Sequence, residues 1–147
     1  MSKSSITVHG TCVALGAGAA LLRGAPGAGK SDLALRFLEM YERDSAALVS
    51  DDQTRLEAHG CGLAASAPAP IKGRLEVRGV GIVDVATVPQ AELMLLVDLV
   101  EPEDVERLPA DPLPRETILG KRLPFLKLAP FEVSAPIKLK LALERAM

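Results

Sequence analysis

The sequence predicts an α/β protein in which a mixed sheet surrounds a helix that follows a glycine-rich loop. Three observations support this prediction: residues 24–31 are rich in glycine, the residues after them are apolar at helical spacing, and short apolar segments precede and follow this pair. Strand, loop, helix and strand in this order make a βαβ unit, in which a phosphate-binding loop commonly opens the helix.

Composition limits both the size and the class of the protein. The chain has 147 residues, of which 48% are hydrophobic, so we expect one domain over residues 1–147. Its net charge of −2 gives no positive field for nucleic acid, and with one Tyr, three Phe and no Trp it cannot build platforms for stacking bases. We therefore expect an aliphatic core and no nucleic-acid partner.

The sequence carries no sign of a membrane or secreted protein. The longest small or apolar run, residues 14–22, is well below the ~20 residues that a membrane helix requires. The polar N-terminus has no apolar region or cleavage site of a secretory signal. Cys12 and Cys61 are too few for a disulfide framework. These features predict a cytoplasmic protein without membrane association.

The first elements can be placed from their apolar patterns. Segments 6–8 and 12–15 flank His9 and Gly10, and a further apolar segment at 19–22 follows a glycine turn. This pattern predicts a hairpin that leads into a buried strand.

The predicted helix follows the glycine-rich loop and ends near Asp44. Its apolar residues recur at helical spacing: Leu33, Ala34, Phe37, Leu38 and Tyr41. Residues 46–49 are then short and apolar and end in Ser50, Asp51 and Asp52, which predicts a buried parallel strand that delivers polar groups at its carboxyl end.

The middle of the chain alternates between a loop and strands. Residues 64–70 are small and interrupted by prolines, which predicts a surface loop. The apolar segments 75–77, 80–85 and 92–100 predict three strands.

The last third of the chain is predicted to begin with an exposed segment. Residues 101–114 are acidic and carry four prolines, which predicts exposure and mobility. Residues 117–128 predict one or two short strands. Ser134 and Pro136 resemble a helix N-cap and a first-turn proline, so we expect a helix over 135–146.

The glycine-rich loop matches the pattern G-x-x-x-x-G-K-[ST] in full. The matching residues are Gly24, Ala25, Pro26, Gly27, Ala28, Gly29, Lys30 and Ser31. Such a loop wraps a phosphate with backbone N–H groups, the lysine reaches the β- and γ-phosphates, and the hydroxyl binds Mg²⁺. The loop therefore predicts binding of a nucleoside triphosphate with Mg²⁺, and Lys30 is expected to be a solvent-facing charge.

Candidate acid/base groups follow the next strand. Asp51 and Asp52 lie where the acidic residues of P-loop proteins commonly hold Mg²⁺ or orient a nucleophile. Adjacent side chains on a strand point to opposite sides, so one of the two is expected to face the phosphates unless the strand has already ended. By pattern alone, His9 is more often a structural or surface histidine than a catalytic one, and Glu76 is a solvent-facing strand residue.

Four segments in order resemble the C-terminal catalytic domain of HPr kinase/phosphorylase, the bacterial enzyme that phosphorylates a serine of the phosphocarrier protein HPr. They are residues 8–10, 24–31, 49–52 and 75–85, the last with the sequence LEVRGVGIVDV. The resemblance covers residues 6–85. It implies the P-loop core shared by HPr kinase and phosphoenolpyruvate carboxykinase.

The resemblance also implies a ligand set. Lys30 and the loop amides would bind the phosphates of ATP, and Ser31 and Glu76 would ligate Mg²⁺. The pair Asp51 and Asp52 would supply the acid/base group, a role for which a carboxylate suits the weakly nucleophilic serine hydroxyl.

The implied function is that of an ATP-dependent serine kinase acting on an HPr-like phosphocarrier of a bacterial phosphotransferase system, with His9 near the site. A homo-oligomer is the expected assembly. We expect no N-terminal domain, as in short alphaproteobacterial forms. The family's Pro-Gly-Arg-Asn-like segment is not found at residues 123–128, so kinase activity is better supported than reverse phosphorolysis, for which Arg115 or Arg122 would have to substitute.

Two alternative functions remain open from the sequence. A small-molecule P-loop kinase would usually need a lid with several arginines, whereas residues 101–114 contain only Arg107. A regulatory module would bind ATP and a partner without turnover.

Overall fold

The computed structural model describes residues 4–68 and 73–147. The strands are β1 (Ser5–His9), β2 (Thr11–Leu15), β3 (Gly18–Arg23), β4 (Ala46–Ser50), β5 (Gln53–His59), β6 (Gly62–Ser66), β7 (Arg74–Val77), β8 (Gly81–Asp84), β9 (Gln90–Leu99), β10 (Arg115–Ile118) and β11 (Lys121–Leu128). The helices are α1 (Lys30–Tyr41) and α2 (Ala135–Ala146), with short 3₁₀ turns at Glu42–Asp44 and Pro102–Asp104.

The main sheet is mixed, as the sequence predicts. Seven of its nine described strands follow the order β1, β5, β6, β9, β3, β2, β4, and β11 pairs with both β9 and β10. The pairs β3 with β9 and β9 with β11 are parallel, and the remaining pairs are antiparallel. Strands β7 and β8 form a separate hairpin. The α/β class and the helix after the glycine-rich loop are therefore confirmed.

The N-terminal hairpin is formed by β2 and β3, whereas β1 pairs with β5. The prediction of pairing across His9 and Gly10 is wrong. A β-carbon at Gly10 would lie only 2.9 Å from the carbonyl oxygen of Leu22, so the chain crosses close to β3 at this point. The two-residue turn at Gly16 and Ala17 instead allows direct pairing of the strands on either side of it.

Strand β4 is fully buried, as predicted, but within the described residues it has only an isolated parallel bridge, from Leu48 to Thr87, and no parallel neighbour strand. It pairs with β2 in the antiparallel sense, and β2 separates it from β3. β4 and β3 still run in the same direction, as in a βαβ unit. The prediction missed the intervening strand. One edge of β2 pairs with β3 in the hairpin, and its other edge remains free and pairs with β4.

The predicted loop at 64–70 is wrong for its first three residues, which belong to β6. Leu63 and Ala65 are buried and alternate with half-buried neighbours, so small side chains here fit a covered strand. Residues 69–70 lie outside the described residues. Strands at 74–77, 81–84 and 90–99 agree with the remaining predictions for this region.

The C-terminal elements follow their predictions closely. Residues 101–114 are exposed except for the half-buried Val105 and Leu113, and two strands, β10 and β11, follow. Helix α2 begins after Ser134, although the serine side chain makes no capping hydrogen bond.

Apolar clusters cover both faces of the main sheet. One packs strand residues against α1 and α2 and includes the buried Phe37, the other includes Cys12 and Leu56, and both are mostly aliphatic, as predicted. Leu75 joins the first cluster, so the β7–β8 hairpin lies against the helical layer. No helix in residues 4–68 and 73–147 is long and apolar enough to span a membrane.

Candidate functional site

The glycine-rich loop connects the end of β3 to the start of α1. Gly29 adopts a φ of +104°, a left-handed conformation that glycine tolerates without steric cost. Gly24 is required for a different reason, because a β-carbon there would lie 2.9 Å from that of Ala28. The loop is closed internally by the N–H of Ala28, which donates to the carbonyl of Ala25 at 2.9 Å.

Lys30 folds back over this loop. Its Nζ donates to the carbonyl oxygens of Gly24 at 2.7 Å and Ala25 at 3.1 Å, and the residue is 7% exposed. The prediction of a solvent-facing lysine is therefore wrong, because the loop carbonyls provide acceptors for its ammonium group. The ammonium charge nevertheless lies directly at the glycine-rich loop.

Ser31, the second residue of α1, is joined to the acidic residue that follows β4. Its Oγ donates to Oδ1 of Asp51 at 3.0 Å, and Oγ1 of Thr11 donates to the same oxygen at 2.9 Å. Strand β2, the turn after β4 and helix α1 thus converge on one carboxylate oxygen.

The two aspartates have different environments because β4 ends at Ser50, before either of them. Asp52 is exposed and has a φ of +66°. Its carbonyl accepts from the N–H of Gly10 at 2.8 Å, and its own N–H donates to Oγ1 of Thr11 at 3.4 Å. Only Asp51 contacts Ser31, a choice that the sequence left open.

His9 and Glu76 do not join the hydrogen-bonded cluster within the described part of the chain. His9 ends β1, is exposed, and precedes Gly10, which contacts Asp52 through the backbone. Glu76 lies on β7 opposite Ile82 and is also exposed. Across residues 4–68 and 73–147, no group of three or more His, Cys, Asp or Glu residues is arranged to hold a metal ion.

Thr11 supports Asp51 with a hydrogen bond, and the sequence did not single it out. Thr11 is completely buried, and its hydroxyl links the carboxylate of Asp51 to the N–H of Asp52. A polar residue that opens an otherwise apolar strand was the available signal.

Arg23 was also not selected. It ends β3, immediately before the glycine-rich loop, and forms ion pairs of 2.8 Å with both Asp98 and Glu116. Burial would lower the pKa of Arg23, but its hydrogen bonds to Glu116 and Asp98 raise it above the usual value. The hydrogen bond from Arg23 likewise lowers the pKa of Glu116. These contacts tie the start of the loop to β9 and β10.

The residues around Ser31 suit a phosphate accompanied by a hard cation. The Ser31 hydroxyl and the Asp51 carboxylate provide oxygen donors, which Mg²⁺ prefers. The first N–H groups of a helix have no intrahelical partner and form a ready site for anions. A β-carbon at Gly27 would meet no atom within 4 Å, so there is open space beside the loop.

A glycine-rich loop between a buried strand and a helix, with an acidic residue bonded to the helical serine, places the chain among P-loop proteins. The model of the HPr Serine kinase C-terminal domain family matches residues 2–130. The chain therefore belongs to this family, and the match extends beyond residues 6–85, where the sequence resemblance was found.

Individual relatives agree with this assignment. The chain is 34% identical over 116 residues to an HPr kinase/phosphorylase of Brevibacillus brevis, covering 71% of this chain and 36% of the relative. It is 31% identical over 137 residues to one of Verminephrobacter eiseniae, covering 83% and 40%. The chain thus spans about two fifths or less of these relatives.

A solved structure shows the same fold. The Hpr(Ser) kinase/phosphatase from Coxiella burnetii matches with a TM-score of 0.78 and 27% sequence identity. The match covers 95% of this chain and 89% of that chain. The similarity therefore includes the mixed sheet and nearly all of the elements described above.

Proposed function

We propose that this chain is the catalytic domain of an ATP-dependent kinase that phosphorylates a serine of an HPr-like phosphocarrier in a bacterial phosphotransferase system. The observation that carries the proposal is the 3.0 Å hydrogen bond between Ser31 and Asp51, which brings a carboxylate to the phosphate-binding end of α1. Membership of the HPr Serine kinase C-terminal domain family supports the type of partner.

Residues 24–31 would bind the nucleotide. Backbone N–H groups of the loop and of the first turn of α1 would surround the phosphates, and Lys30 would exchange its bonds to Gly24 and Ala25 for bonds to the β- and γ-phosphates. Ser31 would ligate Mg²⁺, with Glu76 as a second ligand from the β7–β8 hairpin. Bound Mg²⁺ would neutralise charge on the transferred phosphoryl group.

Asp51 would act as the acid/base group. Its Oδ1 already accepts two hydrogen bonds, whereas its Oδ2 has no hydrogen-bond donor among the described residues. Oδ2 would accept the proton of the carrier's serine hydroxyl as the serine oxygen bonds to the γ-phosphorus and the bond to the leaving ADP oxygen breaks. His9 would lie at the edge of this site, next to the backbone that holds Asp52.

Reverse phosphorolysis is proposed to be weak. Arg115 and Arg122, the candidates to bind a phosphoserine phosphate, lie exposed on the β10–β11 hairpin, and neither is bonded to residues 24–31 within the described chain. We also propose a cytoplasmic homo-oligomer in which residues 1–147 act as one domain.

The proposed Mg²⁺ ligand on β7 gives the first prediction. Glu76→Gln keeps the size of the side chain but removes its charge, so we expect the Mg²⁺ concentration for half-maximal activity to rise about tenfold or more. Nucleotide binding without metal should change little. Exposed Glu92 on β9 offers a matched control, Glu92→Gln. An unchanged Mg²⁺ titration for Glu76→Gln would show that Glu76 is only a strand residue.

The buried hydroxyl of Thr11 gives the second prediction. Thr11→Val keeps the shape of the side chain but removes its hydrogen bond to Asp51, so we expect kcat to fall about tenfold with a smaller change in KM for ATP. Thr11→Ser keeps the hydroxyl and should retain most of kcat. Equal kcat values for the two variants in steady-state assays would exclude a positioning role for the hydroxyl.

A transfer assay distinguishes the proposed kinase from a regulatory module that only binds ATP. Incubation with [γ-³²P]ATP, Mg²⁺ and a purified HPr-like protein is expected to label that protein, and the carrier with its acceptor serine changed to alanine should stay unlabelled. Binding of ATP without any labelling would favour the regulatory module instead.

A further inference from the structure

The segment between β11 and α2 is held against α1 by one arginine. Arg36, on α1, donates from Nη2 to the carbonyl of Pro130 and from Nη1 to the carbonyl of Glu132 at 3.2 Å. Its Nε donates to Oδ2 of Asp32 at 3.0 Å. All three guanidinium nitrogens therefore donate hydrogen bonds, and two of them bond to backbone carbonyls on either side of Phe131.

Phe131 in turn lies on the glycine-rich loop. A β-carbon at Gly29 would be 2.9 Å from Cζ and 3.1 Å from Cε1 of Phe131, and 3.2 Å from the β-carbon of Pro130. The ring therefore occupies the space that a side chain at position 29 would need. We call residues 130–132, fixed by Arg36, the clasp.

Hydrophobic burial does not account well for this contact. Phe131 is 68% exposed, whereas the fully buried Phe37 supplies the aromatic packing of the core. An exposed phenylalanine contributes little to folding, because most of its apolar surface stays in water. What the ring does contact is Gly29, the N-cap residue of α1, which has a φ of +104°.

We propose that Arg36 and Phe131 are positioning residues that hold Gly29 in its phosphate-binding conformation. Arg36 fixes the clasp to α1. The ring of Phe131 fills the space beside Gly29, so the backbone of Gly29 cannot move into that space and change its conformation. A guanidinium suits this role because its planar fork can bond two carbonyl oxygens at fixed angles, which a lysine cannot do. The inference rests on the proposed nucleotide binding by residues 24–31.

The test measures equilibrium binding of MgATP, without carrier protein, at a temperature where every variant is folded. Phe131→Ala and Arg36→Gln are each expected to raise Kd about tenfold or more, because small displacements of binding groups are costly. The double variant should bind MgATP about as weakly as either single variant, since both substitutions disrupt the same contact between the clasp and Gly29. Phe131→Ala is expected to fold normally because its side chain is mostly exposed.

Lys138→Gln is the matched control. It removes the 2.8 Å ion pair between Lys138 and the side chain of Glu132 but leaves the carbonyls of the clasp in place, so Kd should not change. If wild type binds MgATP and both clasp variants bind within about twofold of it, or if their losses simply add in the double variant, the clasp proposal is overturned. Failure of the wild type itself to bind MgATP would instead overturn the proposed function.

Discussion

Replacing Lys30 with alanine is expected to lower phosphoryl transfer by about 10²–10³-fold or more, since preorganised charges at developing negative charge usually contribute this much. The lysine is the cation at the loop, where its Nζ lies 2.7 Å from the carbonyl of Gly24. The fold should persist, because Ala25 is exposed and Gly24 half-buried, so water can replace the lost donor. Steady-state transfer rates and thermal unfolding measure the two effects.

A lysine elsewhere in the chain separates the local effect from a general loss of charge. Lys127 is exposed on β11, and Lys127→Ala removes the same charge without touching the loop. We expect its transfer rate to stay near that of wild type. A folded Lys30→Ala protein that transfers phosphate as fast as Lys127→Ala would refute the proposed role of residues 24–31.

Asp51→Asn is expected to lower kcat by about 10²–10⁴-fold, the usual contribution of general acid/base catalysis. Asparagine keeps the oxygen that accepts from Ser31 and Thr11, so the local hydrogen bonds can persist while the proton acceptor is lost. Asp52→Asn is the matched control, because Asp52 follows directly in the chain but its exposed side chain does not contact Ser31. Single-turnover assays with saturating MgATP report the chemical step.

The comparison of the two aspartates has a definite contrary result. The contrary result is the reverse pattern, in which Asp52→Asn lowers the rate of the chemical step by about 10²-fold or more and Asp51→Asn leaves it near the wild-type rate. Asp52 would then be the acid/base group. The contact between Asp51 and Ser31 would then serve only to orient the serine hydroxyl.

The parts of the site that depend on local sequence could be predicted. The loop at 24–29 and the start of α1 follow from glycine spacing and helical periodicity, and both lie where expected. The acidic pair at the end of β4 was also found, because a short apolar segment followed by polar residues is typical of a buried strand that ends at the edge of a sheet. These signals act over distances of only a few residues.

The parts that depend on long-range pairing could not be predicted. Nothing in β4 itself indicates that its neighbour is β2, because its five buried residues fit a parallel or an antiparallel partner equally well. Thr11 and Asp51 are 40 positions apart, and their contact exists only because β2 and β4 pair.

The clasp shows the same limit over a greater distance. Arg36 and Pro130 are 94 positions apart in the chain. The helical pattern of α1 gives no reason to expect a partner beyond β11, because charged residues on a helix usually face solvent. The pairing of β11 with β9 and the packing of α2 against α1 bring the two segments together.

Mapping of the phosphorylated residue tests the central claim most directly. A purified HPr-like carrier, incubated with this protein and MgATP, is digested and its peptides are analysed by tandem mass spectrometry. We predict one phosphoryl group on a single serine of the carrier, and none when Lys30→Ala replaces the wild-type protein. An unmodified carrier, or phosphate that appears equally with Lys30→Ala, would contradict the assignment of this chain as a serine kinase acting through residues 24–31.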